Sequence, residues 1–405
     1  MAAGRGPQGC LIVVFLALIG VVPASQIVLE LRAGDTPGIV DLFRQVPTRA
    51  NLKRLESDLE SRCRLAQAVR PAVQYVRFVL LQDAGDQALL GRSGWFFYRP
   101  GVQYLIEEEV PGLKWQTTSP PPACPTVQTS YSAPENDFLA AIVSFRGDLA
   151  KRGIKLVVMP APNKSSVYPE KLTGRADGDP NSVNPTSRRV LSMLRQAGVE
   201  VVDLFEAYGQ VHREQKRMLT PEVRSLIPAS YLAQDSHWSP LGMQLAANVV
   251  ARRLLGLGWV AKGAVRYDSK RVTVERYGDV LHMIRVPRVQ QLYEPERIEC
   301  TQVIDAKTGK PYEDDPNSPV LVLGDSFLRI YERDEPGSAG FIAHLARNLG
   351  FGLTSIVNDG GASTLVRQQL ARKPALLRGK KVVIWEFVER DIRFGTEGWQ
   401  VIPLP

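Results

Sequence analysis

The sequence has few of the residues that bind metal ions or form disulfide frameworks. It contains four cysteines and four histidines in 405 residues, and neither a CxxC pair nor an HExxH motif occurs. This scarcity excludes a zinc domain and a small disulfide-stabilised fold. The sequence also lacks collagen-like and other internal repeats, and its 44% of hydrophobic residues excludes global disorder.

Positive charge is only slightly in excess. Fifty Lys and Arg residues against 42 Asp and Glu residues give a net charge of +8, a mild basic bias that permits anionic partners without identifying one. We expect no nucleic-acid partner. At about 150 residues per domain the length predicts more than one domain, with ample material for a hydrophobic core.

Long hydrophobic runs are rare, and only one segment is apolar enough to enter a bilayer. Cys10–Ala24 is an unbroken apolar run, and apolar residues continue to Leu31. The shorter run followed by Pro-Ala-Ser is typical of a secretory signal peptide, whereas the longer one reaches the ~20 residues of a membrane-spanning helix. The positive-inside rule places Arg5 in the cytoplasm. We expect an uncleaved anchor over residues 1–31, with the remaining chain in the periplasm at the inner membrane.

An oxidising compartment makes disulfides possible. Outside the apolar segment the cysteines are Cys63, Cys124 and Cys300. A bridge between Cys124 and Cys300 and a pair of free buried thiols are equally compatible with the sequence.

The order of segments predicts an α/β protein. Residues 32–90 have the pattern of a helical stalk or packing segment, and residues 91–405 form one domain that contains a Pro- and Ser-rich loop at 116–135. From Phe138 onward buried strands alternate with helices, which predicts a mostly parallel sheet flanked by helices. Alternating short strands at about 262–317 break this rhythm and indicate a β-rich insertion.

Two short segments carry residue types that suit nucleophilic catalysis. The apolar strand at Val320–Leu323 runs into Gly-Asp-Ser, which presents the Ser326 hydroxyl at the carboxyl edge of the sheet. Asp235 and His237 lie in an earlier loop, which leads into a predicted helix at Leu241–Leu255. A serine hydroxyl is a weak nucleophile until a base takes its proton, and the base needs an orienting carboxylate. The alternatives without catalysis are an ordinary turn at Ser326 and a helix cap at His237. The joint occurrence of Asp235, His237 and Ser326 favours an Asp–His–Ser triad.

These segments resemble the SGNH/GDSL hydrolase superfamily, in which Gly-Asp-Ser follows a strand and an Asp–His pair precedes a helix. In the usual members the serine comes first and Asp-x-x-His last. Here Asp235 and His237 precede Ser326, and one residue separates the pair. This circularly permuted order resembles the alginate O-acetyltransferase family, membrane-anchored or periplasmic proteins that acetylate exopolysaccharides. Three further segments carry the resemblance: GRSGWFFY (Gly91–Tyr98), VVMPAPNKSSVYP (Val157–Pro169) and VVIWEFVER (Val382–Arg390).

The resemblance implies an SGNH-like fold in which Ser326 is the nucleophile, His237 the base and Asp235 its orienting acid. It also implies a glycine amide in the oxyanion hole, for which Gly360 and Gly361 are candidates, although they also fit an ordinary turn. The family often adds an Asn side chain on a later strand.

This sequence has Glu386 and Arg390 there instead. A structural ion pair between them is slightly favoured over a substrate contact, for which Arg390 is also a candidate. Trp238 and Trp385 are candidates for stacking on sugar rings, with burial in the core as the alternative. Asn163 and Lys164, at the end of a strand, are candidates to line the cleft or to be solvated loop residues.

The expected function is transfer of acetyl groups to hydroxyls of an exported polysaccharide through a Ser326 acyl-enzyme, with no metal or cofactor. The acetyl donor would be delivered by a membrane acetyl carrier, since acetyl-CoA is confined to the cytoplasm, and proteins of a secretion complex are possible partners. Two alternatives remain open. One is a carbohydrate acetylesterase that uses the same residues with water as the acceptor, and the other is a catalytically idle carbohydrate-binding scaffold.

Overall fold

The structure is a computed structural model that describes residues 6–34, 40, 48–49, 51–53, 64–106, 137–176, 184–218, 220, 229–395 and 398–405. It divides the chain into two compact units. One comprises Met1–Ala84 and Arg285–Val289, and the other comprises Gly85–Ile284 and Gln290–Pro405.

The described helices lie in both units. They are α1 Gly6–Ala33, α2 Arg64–Leu81, α3 Arg99–Ile106, α4 Phe138–Ala150, α5 Lys164–Val167, α6 Pro169–Leu172, α7 Pro185–Gln196, α8 Leu204–Met218, α9 Pro240–Gly256, α10 Asp279–Met283, α11 Pro287–Gln290, α12 Ser326–Arg329, α13 Phe341–Leu349, α14 Leu365–Arg372 and α15 Asp391–Phe394, with a 3-10 turn at Pro374–Leu377.

The strands belong to the larger unit. They are β1 Ala88–Leu90, β2 Phe96–Tyr98, β3 Lys155–Ala161, β4 Glu200–Val201, β5 Tyr267–Arg276, β6 Glu296–Asp305, β7 Val320–Gly324, β8 Thr354–Val357 and β9 Val382–Val388.

Five of these strands form the central sheet, in the order β4-β3-β9-β7-β8. Every pairing in it is parallel, so the carboxyl ends of all five strands lie at one edge. The register aligns Val158 of β3 with Trp385 of β9, and Leu323 of β7 with the same Trp385. The predicted α/β fold with a parallel sheet is confirmed.

The sheet is buried on both faces because its strands are apolar at nearly every position. Alternate residues face opposite sides, and they divide between two apolar clusters. On one side Val157, Val322 and Ile384 contact α9 and α13, and on the other side Val158, Leu323 and Trp385 contact α4, α7 and α14. Both layers of helices hold the sheet rigid beneath its carboxyl edge.

The predicted β-rich insertion is a two-stranded antiparallel ribbon. Strand β5 pairs with β6 over ten residues each, from Tyr267 opposite Asp305 to Arg276 opposite Glu296. Its inward side chains, among them Val274 and Ile298, are buried in the cluster that includes α9 and α13. The paired end of the ribbon that carries Arg276 and Glu296 therefore belongs to the packed body of the domain.

The smaller unit contains α1 and α2. Within α1, Phe15–Ala33 is long and apolar enough to cross a membrane. Its apolar side chains are exposed, among them Phe15 at 61% and Ile19 at 58%, as a helix in contact with lipid requires.

Some local features differ from the expectations. Residues 88–90 form strand β1, where a helix was expected to continue to residue 90. Helix α8 is strongly polar, and only a narrow apolar stripe of it, including Phe205 and Tyr208, is buried. Cys300 is a free, buried thiol. Cys63, Cys124 and the Pro- and Ser-rich loop at 116–135 lie outside the described residues.

Candidate active site

The nucleophile candidate lies in a sharp turn between β7 and α12. Strand β7 ends at Gly324, and α12 begins at Ser326. The Asp325 carboxylate caps this helix by accepting from the Phe327 amide at 2.9 Å. A side chain at residue 324 would collide with the Glu386 carboxylate and lie 2.5 Å from Leu328 Cδ1. Glycine is thus required there, and the turn leaves Ser326 partly exposed while Asp325 is buried.

His237 reaches Ser326 from the loop before α9. His237 Nε2 lies 2.8 Å from Ser326 Oγ, and His237 Nδ1 lies 2.6 Å from Asp235 Oδ1. An ionised carboxylate only accepts hydrogen bonds, so Nδ1 carries the ring proton and Nε2 is left to accept from the serine hydroxyl. The His237 amide also donates to Asp235 Oδ1, at 3.1 Å. A spacing of one residue between the acid and the histidine is therefore sufficient for this geometry.

The net effect of burial and neighbouring charges lowers the pKa of Asp235 and raises the pKa of His237. Burial raises the pKa of Asp235, but the His237 imidazole and Arg276 outweigh it, and the pKa is held well below its usual range. Burial lowers the pKa of His237, but the Asp235 carboxylate and then Asp279 outweigh it, and the pKa is raised. Asp235 therefore stays ionised beside an imidazole that readily takes up a proton, which is what a general base and its orienting acid require.

The end of β5 and the start of α10 supply two charged residues that the sequence did not reveal. Arg276, at the end of β5, donates to Asp235 Oδ2 at 3.1 Å, and the Asp279 amide donates to the same oxygen at 3.2 Å. The Asp279 carboxylate accepts from the Ser236 amide and hydroxyl, each at 2.6 Å. A side chain at Gly278 would overlap the backbone of residues 234 and 235, so this glycine permits the ribbon to approach the loop.

Comparison with known proteins identifies the family of the domain that contains this site. A family model described as "SGNH hydrolase-like domain, acetyltransferase AlgX" matches residues 125–389, a range that includes Asp235, His237 and Ser326. The chain belongs to the AlgX-type SGNH hydrolase-like family.

Relatives within this AlgX-type family are distant in sequence. The chain is 24% identical over 284 residues to a probable alginate O-acetylase AlgJ of Azotobacter vinelandii, covering 66% of this chain and 65% of that protein. It is 23% identical over 251 residues to the alginate biosynthesis protein AlgX of Pseudomonas aeruginosa, covering 60% of this chain and 48% of that protein. The matches thus span somewhat less than two thirds and about half of the lengths of these two curated relatives.

The fold is shared with solved structures. The O-acetyltransferase domain of Pseudomonas putida AlgJ superposes with a TM-score of 0.53 at 20% identity, covering 76% of this chain and 92% of that chain. Pseudomonas aeruginosa AlgX superposes with a TM-score of 0.50 at 18% identity, covering 74% of this chain and 62% of that chain. The SGNH-like fold expected from the permuted motifs is confirmed.

Among the described residues, one group could hold a metal ion by its spacing. It consists of Asp235, His237 and Asp279, whose potential ligand atoms all lie within 4.8 Å of one another. Their donor set does not fit a cation. Asp235 Oδ1 accepts from His237, and Oδ2 accepts from the Arg276 guanidinium, whose positive charge would repel a metal. In this member of the AlgX-type family the cluster is a hydrogen-bonded acid–base group.

Lys164 is buried beneath the loop that carries Asp235. The residue is 4% exposed, and its ammonium lies 5.2 Å from the ring centroid of Trp95 and 5.1 Å from that of Phe97. Burial lowers the pKa of Lys164 to about 8, against the opposing charge of Glu296. Its Nζ donates to three backbone carbonyls, those of Leu232 (2.8 Å), Ala233 (2.9 Å) and Asp235 (2.7 Å). Lys164 is therefore not a solvated loop residue, and it is among the residues that line a small pocket beside Asn163.

Glu296, at the start of β6, holds the other polar groups of the same loop. Its carboxylate accepts from the amides of Ala233 at 2.8 Å and Gln234 at 2.9 Å. An ammonium thus binds the carbonyls of residues 232, 233 and 235, and a carboxylate binds two amides of the same segment. We call Lys164 and Glu296 the loop clamp. It fixes the backbone two residues before His237.

The two tryptophans are core residues. Trp238 is 0% exposed and stacks on Phe341, with ring centroids 5.8 Å apart. Trp385 is also 0% exposed and donates from Nε1 to the Ala362 carbonyl at 2.9 Å. The expectation that they stack on sugar rings is wrong for both, because their side chains point into the two apolar clusters that sandwich the sheet.

The expected ion pair between Glu386 and Arg390 is not among the ion pairs of the described residues. Glu386 is buried and accepts from the Asp325 amide at 3.1 Å. Burial, with the neighbouring Asp325 carboxylate, raises the pKa of Glu386 well above its usual value. Arg390 instead lies over the ring of Tyr98, 4.9 Å from its centroid. Glu386 supports the Gly-Asp-Ser turn, while Arg390 is left half-buried at the carboxyl edge.

The glycines after β8 differ in what their amides do. The Gly361 amide donates to the Asn358 carbonyl at 3.0 Å and is therefore already used within the turn. Gly360 is exposed and has φ +65°, a conformation that favours glycine. The two are not equivalent candidates for the oxyanion hole, and Gly360 is the one that stays a candidate.

Proposed function

We propose that this protein is an exported O-acetyltransferase that carries an acetyl group on Ser326 and transfers it to a hydroxyl of a polysaccharide. One observation carries the proposal: His237 Nε2 lies 2.8 Å from Ser326 Oγ while Asp235 holds the other ring nitrogen at 2.6 Å. The acetylase names of the relatives, and a sheet edge that brings both motifs together, agree with this chemistry.

In the first half-reaction Ser326 Oγ attacks the acetyl carbonyl of the donor, and His237 Nε2 takes the serine proton. Asp235 stabilises the resulting imidazolium. The amide of Ser326, at the first position of α12, and the amide of Gly360 are candidate donors to the oxyanion of the tetrahedral intermediate. His237 then returns the proton to the leaving group as the carbonyl re-forms, which leaves acetyl-Ser326.

In the second half-reaction the acceptor hydroxyl attacks acetyl-Ser326. His237 removes the proton of that hydroxyl, a second tetrahedral intermediate forms, and its collapse releases the acetylated sugar and returns the proton to Ser326. The steps need no oxidant and no further reactant. A sugar hydroxyl must reach the acyl-enzyme ahead of water for transfer to prevail over hydrolysis.

We further propose that α1 is an anchor, with the catalytic domain in the periplasm beside a membrane acetyl carrier and proteins of the polysaccharide-secretion machinery. The apolar, lipid-compatible surface of α1 and the lone Arg5 before it support this orientation. Protease treatment of intact spheroplasts tests it. Digestion of the domain from outside is the expected result, and protection until lysis would contradict it.

The test of the activity uses the full chain in detergent micelles or nanodiscs, with a chromogenic acetyl ester as the donor. Oligosaccharide acceptors are added, and Ser326→Ala is run beside the wild type. The expected result is Ser326-dependent acetyl on the sugar, detected by mass spectrometry. Ester cleavage that depends on Ser326 but never yields acetylated sugar would identify an esterase instead. Activity equal in wild type and Ser326→Ala would remove Ser326 from the mechanism.

A further inference from the structure

The side chain of Asn163 is a buried polar group that makes no hydrogen bond to the described residues. The residue lies beyond the end of β3 and is 2% exposed. Neither its Oδ1 nor its Nδ2 makes a hydrogen bond to the part of the chain that the structure describes. Its backbone, by contrast, is fixed, because the amide donates to Glu389 Oε2 at 2.8 Å and the carbonyl accepts from the Ser166 amide at 2.9 Å. An unpaired buried amide is unfavourable for folding and calls for a functional explanation.

Asn163 lines a small polar pocket at the carboxyl edge of the sheet. Tyr98, Gly101, Ser236 and Arg390 are among the other lining residues. The free volume is about 10 Å³, close to the space that one water molecule or one hydroxyl group needs.

The pocket lies near His237 and Ser326 but is not formed by them. Ser236 precedes His237, and Arg390 follows the end of β9, which lies between β3 and β7. Strands two apart in a sheet are separated by about 10 Å. Asn163 is therefore too far from the end of β7 to contact the acetyl carbonyl on Ser326. It is near enough to contact another group of the same acceptor molecule.

The chemistry of the amide selects the ligand. Nδ2 donates and Oδ1 accepts, so both atoms are satisfied by groups that accept and donate, as hydroxyls do. Carboxylate and ester oxygens only accept, and they would leave Oδ1 unpaired. We propose that this pocket is an acceptor subsite in which Asn163 binds a sugar hydroxyl next to the one that receives the acetyl group. The inference rests on the proposed transferase function and deepens it.

A pair of variants tests the subsite. Asn163→Leu removes both polar atoms while keeping the backbone bonds to Glu389. Gly101→Ala adds a methyl group 3.3 Å from Asn163 Oδ1, a contact tight enough to displace the amide. Gly147→Ala is the matched control, since it is also a helical glycine and its added methyl group meets nothing within 4 Å.

The readout is the ratio of acetyl transferred to sugar over acetyl released to water, measured in the full chain with a chromogenic acetyl ester and an oligosaccharide acceptor. Loss of hydrogen bonds to the acceptor should lower this ratio by about 10-fold in Asn163→Leu and Gly101→Ala, with a higher KM for the acceptor. The ratio should not change in Gly147→Ala. The melting temperature of Asn163→Leu should be equal to or above that of the wild type, because an unpaired polar group is replaced by an apolar one.

Three results would overturn the subsite. An unchanged ratio in Asn163→Leu would mean that the pocket holds water only. An equal fall of transfer and hydrolysis would place Asn163 in the acylation step. A wild-type enzyme that cleaves the ester through Ser326 but acetylates no acceptor would remove the transferase function and this inference together, whereas active transfer with an unchanged ratio would remove the inference alone.

Discussion

Arg276 Nη2 lies 3.1 Å from Asp235 Oδ2, the carboxylate oxygen that is not bonded to the His237 ring. The acid of the candidate triad is thus held from two sides, by its own loop and by the end of the β5–β6 ribbon. A buried carboxylate needs such a partner, because an uncompensated charge in the interior is strongly unfavourable. The insertion is therefore part of the candidate active site and does more than extend the fold.

Replacing Arg276 with Gln should leave Asp235 buried with a weaker partner. The pKa of Asp235 should rise, and the carboxylate should hold His237 less firmly. A hydrogen bond to a charged group is worth about 1.5–3 kcal/mol, which corresponds to a loss in kcat/KM of about 10- to 100-fold. Steady-state kinetics with a chromogenic acetyl ester measures it. Arg271→Gln, an exposed position on the same strand, serves as the control, and equal kinetics in the two variants would contradict the role of Arg276.

Replacing Asp235 with Asn should reverse the tautomer of His237. The new amide can donate to Nδ1, and the ring proton then moves to Nε2, where it blocks acceptance of the Ser326 proton. The expected fall in kcat is about 10⁴-fold, with the fold retained by circular dichroism. Near-normal turnover in this variant would remove Asp235 from the triad.

The pH dependence of kcat/KM should report His237. Burial lowers its pKa and the carboxylates of Asp235 and Asp279 raise it, with Arg390 opposing them, and the net shift is upward from 6.5. Only the neutral ring accepts a proton, so activity should be lost as the pH falls through this raised pKa. The midpoint of the acid limb should lie above about 6.5. Asp279→Asn removes one of the carboxylates and should move the midpoint to lower pH; a midpoint that stays in place or rises would contradict this assignment.

The loop clamp should couple stability to catalysis. Lys164→Met leaves the carbonyls of Leu232 and Asp235 unpaired, while the Ala233 carbonyl keeps its hydrogen bond from the Phe96 amide. It should lower the free energy of unfolding by about 2 kcal/mol or more, while kcat falls because the loop before His237 loses its position. Lys380→Met is a matched control. Lys380 Nζ also donates to three acceptors, Pro316 O (2.8 Å), Ser318 O (2.7 Å) and Thr354 Oγ1 (2.9 Å), but these lie at the amino ends of β7 and β8.

Denaturant unfolding and kinetics of both lysine variants, measured below their melting temperatures, separate the two effects. Lys380→Met should lose stability with kcat intact. If Lys164→Met also keeps kcat once it is folded, the clamp stabilises the loop but does not position the catalytic residues.

The sequence alone was sufficient to propose the three residues of the candidate triad. Ser326 could be proposed because an apolar strand runs into Gly-Asp-Ser, and the Asp235–His237 pair because it supplies the base and the acid that such a serine needs. Arg276 and Glu296, at one end of the ribbon, and Asp279, at the start of α10, could not be found, because these segments approach the loop only in the folded chain. Their charged side chains look like those of any solvated segment.

The predictions for the two tryptophans, Lys164 and the Glu386–Arg390 pair share one difficulty: the sequence does not show which way a side chain points. Trp238 and Trp385 neighbour the site in sequence, yet each faces an apolar cluster, because proximity along the chain does not fix the direction of a side chain. Lys164 was compatible with a solvated loop because lysines are rarely buried; it is buried here because three carbonyls and a nearby carboxylate accompany it. Glu386 and Arg390 lie four residues apart, but only Glu386 is within β9, so they do not share a face.

The acyl-enzyme is the central claim, and its direct capture tests it best. The full chain is mixed briefly with an acetyl ester without acceptor, quenched in acid, digested and analysed by mass spectrometry. One acetyl group on the peptide that contains Ser326 is the predicted result, absent from Ser326→Ala and discharged when an oligosaccharide acceptor is added before the quench. Turnover of the ester by Ser326→Ala at the wild-type rate, or acetyl that accumulates on another residue and is discharged by the acceptor, would contradict it.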